Sequence, residues 1–283
     1  MKVLVTGAAG LIGRHVAERF APDHDVLALT HHDLDIADRD SVIRTVSAAK
    51  PALILNCAVV QVDESEQDPT KAQAVNIEGP RALAEAANRV GAEIVHFGTQ
   101  YAFAGAPIGR AAYTIKDDLQ PVNLYGRTKV AGEAAVRDCC ARSYIIRTSW
   151  VYGKGKNSFL CTVHTDLLAK KRVRAIADIY SSTTYAVDLV NRILQIVARQ
   201  RYGTYHVVND GVCSYYEFAL EAGRLVGLGK HQLESLIEVV REEEMDRPAA
   251  RPRYTPMRCL VSEELGLAPM RDWRAALAEY VRT

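Results

Sequence analysis

Three glycines in Thr6-Gly7-Ala8-Ala9-Gly10-Leu11-Ile12-Gly13 stand between an apolar run, Val3-Leu4-Val5, and a segment with helical spacing, Leu11 to Phe20. A strand that enters a helix through a G-x-x-G-x-x-G turn leaves few folds open. One glycine permits the tight turn, one lets the backbone approach a pyrophosphate, and one allows close packing of helix on strand. The helix N-terminus then presents free N–H groups to an anion. The alternative, an Ala/Gly-rich turn with no ligand, does not require a strand before it and a helix after it. Gly7, Gly10, Leu11, Ile12 and Gly13 are therefore assigned to a dinucleotide.

The alternation of strand and helix signals continues. Val26–Leu29 reads as a second strand, Ser41 to Ala49 as a helix, Leu53–Asn56 as a third strand and Thr70 to Val90 as a long Ala-rich helix. Glu93–Phe97 is a fourth strand, Leu124 to Asp138 a helix and Tyr144–Arg147 a fifth strand. Short unalternated apolar strands separated by helices predict an α/β fold, a doubly wound parallel sheet of Rossmann type covered on both faces. Such a sheet binds ligands at the carboxyl ends of its strands.

The second half is less regular. Ser158 to Lys171, Ala186 to Arg199, Tyr215 to Val226 and Met270 to Val281 read as helices, and Thr204–Val208 as a strand. Pro248, Pro252 and Pro256 demand an extended segment. Glu242-Glu243-Glu244 reads as a solvated face. The expected division is a dinucleotide-binding domain over 1–152 and a smaller C-terminal substrate-binding lobe over 153–283, with a segment around 183–208 returning to the sheet.

Composition excludes several classes. The formal net charge is +1, so no global field draws the chain to nucleic acid or to an anionic membrane. No apolar stretch is long enough to span a bilayer, and the N-terminal apolar run is too short for a signal peptide. The six cysteines form no CxxC pair, which predicts reduced thiols in a cytoplasmic protein rather than a zinc site or a disulfide framework. Gly153-Lys154-Gly155-Lys156-Asn157-Ser158 has the wrong glycine spacing for a P-loop.

Asp35 and Ile36 follow the second strand, where a carboxylate can accept from an adenine amino group or cap the next helix. Cys57 and Ala58 end the third strand, where small side chains let the backbone meet a ribose. The second strand ends in Leu29-Thr30-His31-His32, with no acid to grip a ribose 2′-hydroxyl. Arg14 and His31 suit a 2′-phosphate, so the balance between NADPH and NADH leans to NADPH.

Tyr125 and Lys129 lie four residues apart and share one helix face. A tyrosine that relays protons near neutral pH is expected to have its pKa lowered by a neighbouring ammonium. Thr99 follows the fourth strand, where a hydroxyl can polarise a carbonyl while Tyr125 protonates the alkoxide formed by hydride addition. Y-x-x-x-K is common by chance in helices, and here its weight comes from following both the glycine turn and the threonine.

With these residues the chain resembles the extended short-chain dehydrogenase/reductases, and within them the dTDP-4-dehydrorhamnose reductase family. Val59-Val60-Gln61-Val62-Asp63-Glu64-Ser65-Glu66 is similar to that family's segment after strand three, and Gly98-Thr99-Gln100-Tyr101-Ala102-Phe103-Ala104-Gly105 to its S-T-D-Y-V-F-x-G. Pro121 to Glu133 follows P-x-N-x-Y-G-x-S-K-x-x-G-E, and Arg147-Thr148-Ser149-Trp150-Val151-Tyr152-Gly153 matches R-T-S-W-V-Y-G. Ala250-Arg251-Pro252 resembles the family's A-x-R-P region, and Trp273 with Leu277 its C-terminal helix. The resemblance implies a nucleotide-linked 4-keto-6-deoxy sugar as substrate, with Gln100, Tyr101, Trp150, Asn157 and Arg251 bordering it. For Trp150 core packing is an equal expectation, while the Arg251 fork suits a diphosphate.

Gln100 replaces the family's acid, Gly98 its serine, and Asp178 to Thr183 lacks its glutamine, glycine and proline. Arg253-Tyr254-Thr255 departs from the asparagine–serine pattern after R-P. Some members form a magnesium-bridged dimer through acids after the glycine turn. Here Arg14 and His15 stand there, so no metal is expected, and a homodimer remains an open expectation. Two other functions compete: a nucleotide-sugar 4-epimerase, which uses the same Tyr–Lys pair, and a non-catalytic NAD(P)-binding subunit like the regulatory subunit of methionine adenosyltransferase. A 4,6-dehydratase needs an acid pair after the threonine, which Gln100-Tyr101 does not supply.

Overall fold

The computed structural model describes residues 1–105 and 111–283. Six strands, β1 (Lys2–Thr6), β2 (Asp25–Leu29), β3 (Leu53–Asn56), β4 (Glu93–Thr99), β5 (Ser143–Thr148) and β6 (Gly203–His206), form one sheet in the order β6-β5-β4-β3-β1-β2. Every neighbouring pair is parallel. Successive strand residues point to opposite faces, and the sequence serves both. Val3, Val5, Leu53, Leu55, Val95, Phe97, Tyr144 and Ile146 pack on α1 (Leu11–Phe20) and the later helix Ala186–Arg199. Leu4, Ile54, Ile94 and Ile145 face α2 (Arg39–Ala49), α3 (Gly79–Val90) and α4 (Leu124–Cys139). The chain runs from β1 to β2 on one side and then crosses to β3 on the other. That reversal opens a crevice beyond the carboxyl ends of β1 and β3.

The helix expected over Thr70 to Val90 runs without a gap from Pro69 to Val90 but changes its winding inside: Pro69–Gln73 is followed by a π-helical turn Ala74–Glu78 and then α3. Pro80 is the physical reason. It has no N–H to give the carbonyl of Asn76, four residues earlier. A Cβ on Gly132 of α4 would strike that carbonyl oxygen, so the backbone of the π turn approaches α4 where α4 carries no side chain. Val62–Gln67 is a further helix, for which the sequence carries no strong signal.

After β5 the chain builds a second core from α5 (Phe159–Leu168), α7 (Tyr215–Leu225) and α8 (Trp273–Arg282), with α6 being Ala186–Arg199 against the sheet. Tyr152, fully buried, meets Phe218 and Tyr280 edge-on at its centre. A parallel pair, Val173–Ile176 with Ile237–Val240, flanks this core. The proline-rich segment is extended and pairs Tyr254–Thr255 with Tyr180–Ser181. The glutamate run is not uniformly solvated: Glu242 is turned inward, 3.3 Å from Arg247 and 3.7 Å from Arg251, while Glu243 and Glu244 are exposed. Among the described residues no helix is long and apolar enough to cross a membrane, and no group of three metal-ligating side chains occurs. All six cysteines are free.

Candidate active site

A cleft of about 380 Å³ lies over the carboxyl ends of β1, β3 and β4. Gly10, Leu11 and Ile12 form one wall, Cys57 and Ala58 the next, and Thr99, Tyr125 and Lys129 the floor. The three glycines have separate duties. Gly7 has φ of 63°, and a Cβ there would lie 2.6 Å from the backbone nitrogen of Ala58. A Cβ on Gly13 would strike the carbonyl oxygen of Gly7. These two shape the turn and do not line the cleft. Gly10 alone does, and a Cβ on it would touch only Gly7 O, at 3.2 Å. α1 has no side-chain cap and no acid in its first turn. Its N-terminal N–H groups stay available to a diphosphate, so these residues fit a dinucleotide.

α4 is aimed by its cap. The Asn123 side chain accepts from Gly126 N at 2.7 Å, and its Nδ2 donates to Ala250 O at 2.7 Å, tying the helix start to the lobe. Thr128 accepts from Asn76 Nδ2 at 3.2 Å, which fixes the next turn against the π segment. Tyr125 then packs edge-on against Tyr101, ring centroids 5.5 Å apart, with its hydroxyl hydrogen-bonded to Thr99. Thr99 donates to Gln100 Oε1 at 3.1 Å.

Burial pushes the Tyr125 phenol up to about 12, with the Thr99 hydrogen bond opposing. This corrects the expectation of a lowered value: loss of hydration outweighs any neighbouring charge. Burial also brings Lys129 down to about 8, opposed by Glu133 and Cys57. At neutral pH the floor therefore holds an undissociated phenol beside an ammonium, the state a proton donor requires.

Glu133, one turn beyond Lys129, is fully buried and takes Arg147 through Nε at 3.1 Å and Nη2 at 2.7 Å. Gly98 makes room for this pair, since a Cβ there would strike Glu133 Oε1. The departure from serine thus has a local packing reason.

Other assigned residues stand elsewhere. Gln100, Tyr101 and Trp150 line the cleft. Trp150 has φ of 42°, a left-handed conformation rare for a bulky residue, and packs on Tyr215 with ring centroids 3.9 Å apart and planes tilted by 31°. Asn157 is exposed outside the cleft, whereas its neighbours Lys156 and Ser158 line it. Arg251 is not free for a diphosphate. Its guanidinium is 7% exposed, bound to Asp63 at 2.6 Å and to Ala249 O, and the arginine that lines the cleft is Arg247. Asp35 is exposed and accepts from Ala37 N in a turn, while Asp38 caps α2. Ile36 is buried under Gly79 in the core. Arg14 lies against Gly155. Sequence reasoning missed Lys156, Phe159, Tyr215 and Arg247 because they come from separate lobe segments with no shared motif.

A doubly wound parallel sheet, a glycine turn at the strand reversal, and Thr, Tyr and Lys converging on one cleft define an extended short-chain dehydrogenase/reductase. The family model described as RmlD substrate binding domain matches residues 1–283, and the chain belongs to that family. It is 39% identical to a dTDP-4-dehydrorhamnose reductase of Mycolicibacterium smegmatis, over 99% of this chain and 85% of that one. It is 36% identical to a dTDP-4-keto-6-deoxy-D-glucose reductase of Streptomyces niveus, over 98% and 95% of the two chains. The crystal structure of a Bacillus anthracis dTDP-4-dehydrorhamnose reductase in complex with NADP superposes with a TM-score of 0.92 at 31% identity, covering 100% of this chain and 99% of that one.

Proposed function

We propose that this protein reduces the C4 ketone of a dTDP-linked 4-keto-6-deoxy sugar, using NADPH. The observation that carries the reading is the convergence of Thr99, Tyr125 and Lys129 on the floor of the strand-reversal cleft. A nicotinamide, when bound, supplies the hydride. The phenol of Tyr125 gives its proton to the C4 oxygen as negative charge develops there, and the Thr99 hydroxyl steadies that oxygen. Lys129 supplies the positive charge that makes loss of the phenol proton less costly. Arg247 and Lys156 face the same cleft and suit the sugar's diphosphate, and the tilted Trp150–Tyr215 ring pair offers an apolar wall.

Two details support NADPH. Asp33, the nearest acid to the end of β2, is occupied by Thr30 through N at 2.9 Å and Oγ1 at 2.6 Å. Asp35 is likewise held in its own turn by Ala37 N. Both carboxylates are engaged in their own turns, and neither stands at the last residue of β2, where an acid would grip a ribose 2′-hydroxyl.

The test is oxidation of NADPH and NADH with dTDP-4-keto-6-deoxyglucose, with and without a 3,5-epimerase, followed by NMR of the product. Oxidation that needs the epimerase identifies a rhamnose-type reductase. Oxidation without it identifies a reductase of the unepimerised sugar. Tyr125→Phe is expected to lower kcat by roughly 10²–10⁴-fold while dinucleotide still binds. Retention of full activity in this variant would refute the assigned role, and silence of the wild type with every dTDP-keto sugar would favour a non-catalytic binding subunit.

A further inference from the structure

Behind the catalytic lysine lies a chain of buried polar groups that the reaction as written does not use. Thr6, at the end of β1, donates to Asn56 Oδ1 at 2.8 Å. Asn56, at the end of β3, approaches His96 Nδ1 with its Nδ2 at 3.2 Å. His96, in the middle of β4, approaches Lys129 Nζ with its Nε2 at 3.4 Å. Thr6, Asn56 and His96 are all shielded from solvent, and Lys129 is nearly so.

The donor and acceptor roles along this chain are fixed by one backbone group. Ala58 N–H lies 3.3 Å from the Asn56 side-chain oxygen and can only donate. The Asn56 oxygen must therefore face Ala58, and its NH₂ must face His96. An NH₂ can only donate, so His96 Nδ1 carries a lone pair. The ring proton then sits on Nε2 and points at Lys129. An ammonium has three donors and no acceptor, and it cannot receive that proton. The neutral amine can.

We propose that His96 is a positioning residue for the reduction, donating from Nε2 to Lys129 and stabilising the neutral amine left when Lys129 releases a proton into the cleft. The balance is simple. When Tyr125 has given its proton to the C4 oxygen it is a phenolate; one proton then passes from the Lys129 ammonium to that phenolate, the lysine nitrogen keeps the electron pair, and the His96 N–H satisfies that pair without itself transferring. His96 remains neutral throughout; burial holds its imidazolium form down, with Lys129 and Arg137 acting in the same direction. The other groups facing Lys129 act differently. Glu133 on its own helix favours the ammonium but is shared with Arg147 and, at 3.7 Å, Arg137. Cys57, just after β3, is a half-buried thiol on the cleft wall whose loss of hydration keeps it protonated. Tyr125 is an undissociated phenol. Gly132 keeps α4 close, since a Cβ there would come within 3.6 Å of His96 Nε2.

The role rests on the reductase reading, but its test does not. Nitrogen-15 NMR of histidine-labelled wild-type protein reads the His96 tautomer directly, and NMR of labelled lysine reads the titration of Lys129 without substrate. The expected tautomer carries its proton on Nε2. His96→Leu removes the donor and is expected to raise the Lys129 pKa by about one unit, the scale of one hydrogen bond. The descending limb of the reduction pH profile should rise with it. His96→Gln, whose amide can reach the same place, should restore most of the wild-type value. A proton on Nδ1, a downward shift in His96→Leu, or lost activity with an unmoved pKa would each overturn the proposal. If His96→Leu does not fold, the wild-type tautomer and His96→Gln still decide. A correct tautomer and shift in a protein that reduces no sugar would sink the reductase reading alone.

Discussion

Glu133→Gln tests the electrostatic frame beneath the site. Glu133 is fully buried and Arg147 is 4% exposed, so neither charge has water to fall back on. The carboxylate accepts at 3.1 and 2.7 Å from two guanidinium nitrogens. An amide of the same shape keeps one acceptor and turns an NH₂ toward the guanidinium, which leaves Arg147 charged, buried and underpaired. Breaking such a pair on one side costs about 3–5 kcal/mol. Against a total stability of roughly 5–15 kcal/mol this is a large loss, equivalent to a fall in Tm of roughly 5–10 °C. Thermal and urea unfolding of the wild type, Glu133→Gln, and the double variant Glu133→Leu/Arg147→Met would measure it. The double variant removes both charges and should recover most of the stability, because a buried pair and a packed apolar pair are often near equal. Glu133 also supports the ammonium of Lys129, so the single variant should move the alkaline limb of activity to lower pH. A single-variant cost under about 1 kcal/mol, or a double variant as unstable as the sum of its parts, would refute the reasoning.

Two further outcomes are expected. Gly10→Ala should leave Tm nearly unchanged but weaken NADPH binding at least about tenfold by fluorescence titration, whereas Gly13→Ala should lose both binding and stability because its Cβ strikes Gly7 O; equal effects would refute the division of duties. Burial, reinforced by Arg147, holds His206 down to about 3, below an unfolded value near 6.5, so the unfolded chain binds the extra proton. Stability from this group is complete above pH ~6.5 and is lost toward pH ~3, at up to about 1.4 kcal/mol per unit. Urea unfolding between pH 4 and 7 should show a shallower slope in His206→Asn, and an identical slope would refute the assignment.

The sheet and its helices were legible because their signal is local. Leu53–Asn56, Leu11–Phe20 and Ala186–Arg199 have the bounds read from periodicity alone. The π turn at Ala74–Glu78 was not, because it depends on Pro80 and on Gly132 arriving from a distant helix. Motif spacing brought Gly10, Thr99, Tyr125 and Lys129 to one place, since each is fixed by the end of a strand or the start of a helix. It did not signal that the Arg251 guanidinium is paired with Asp63 from another element, a contact that only the assembled fold creates. It also failed for the pKa of Tyr125, because burial is a property of the assembled cleft and not of a four-residue spacing.

Trp150 joins the sheet to the lobe in a backbone conformation that costs a non-glycine residue about 1–3 kcal/mol. Its ring lies on Tyr215, in the first turn of α7, whose inner face packs in the lobe's aromatic core. Substitutions that shift α7 therefore act on the cleft through Tyr215 and the indole resting on it, without themselves touching any cofactor or sugar. Interior positions of the lobe inherit a restraint on their divergence that belongs to ligand recognition, and drift there is tolerated only as far as that indole stays in place.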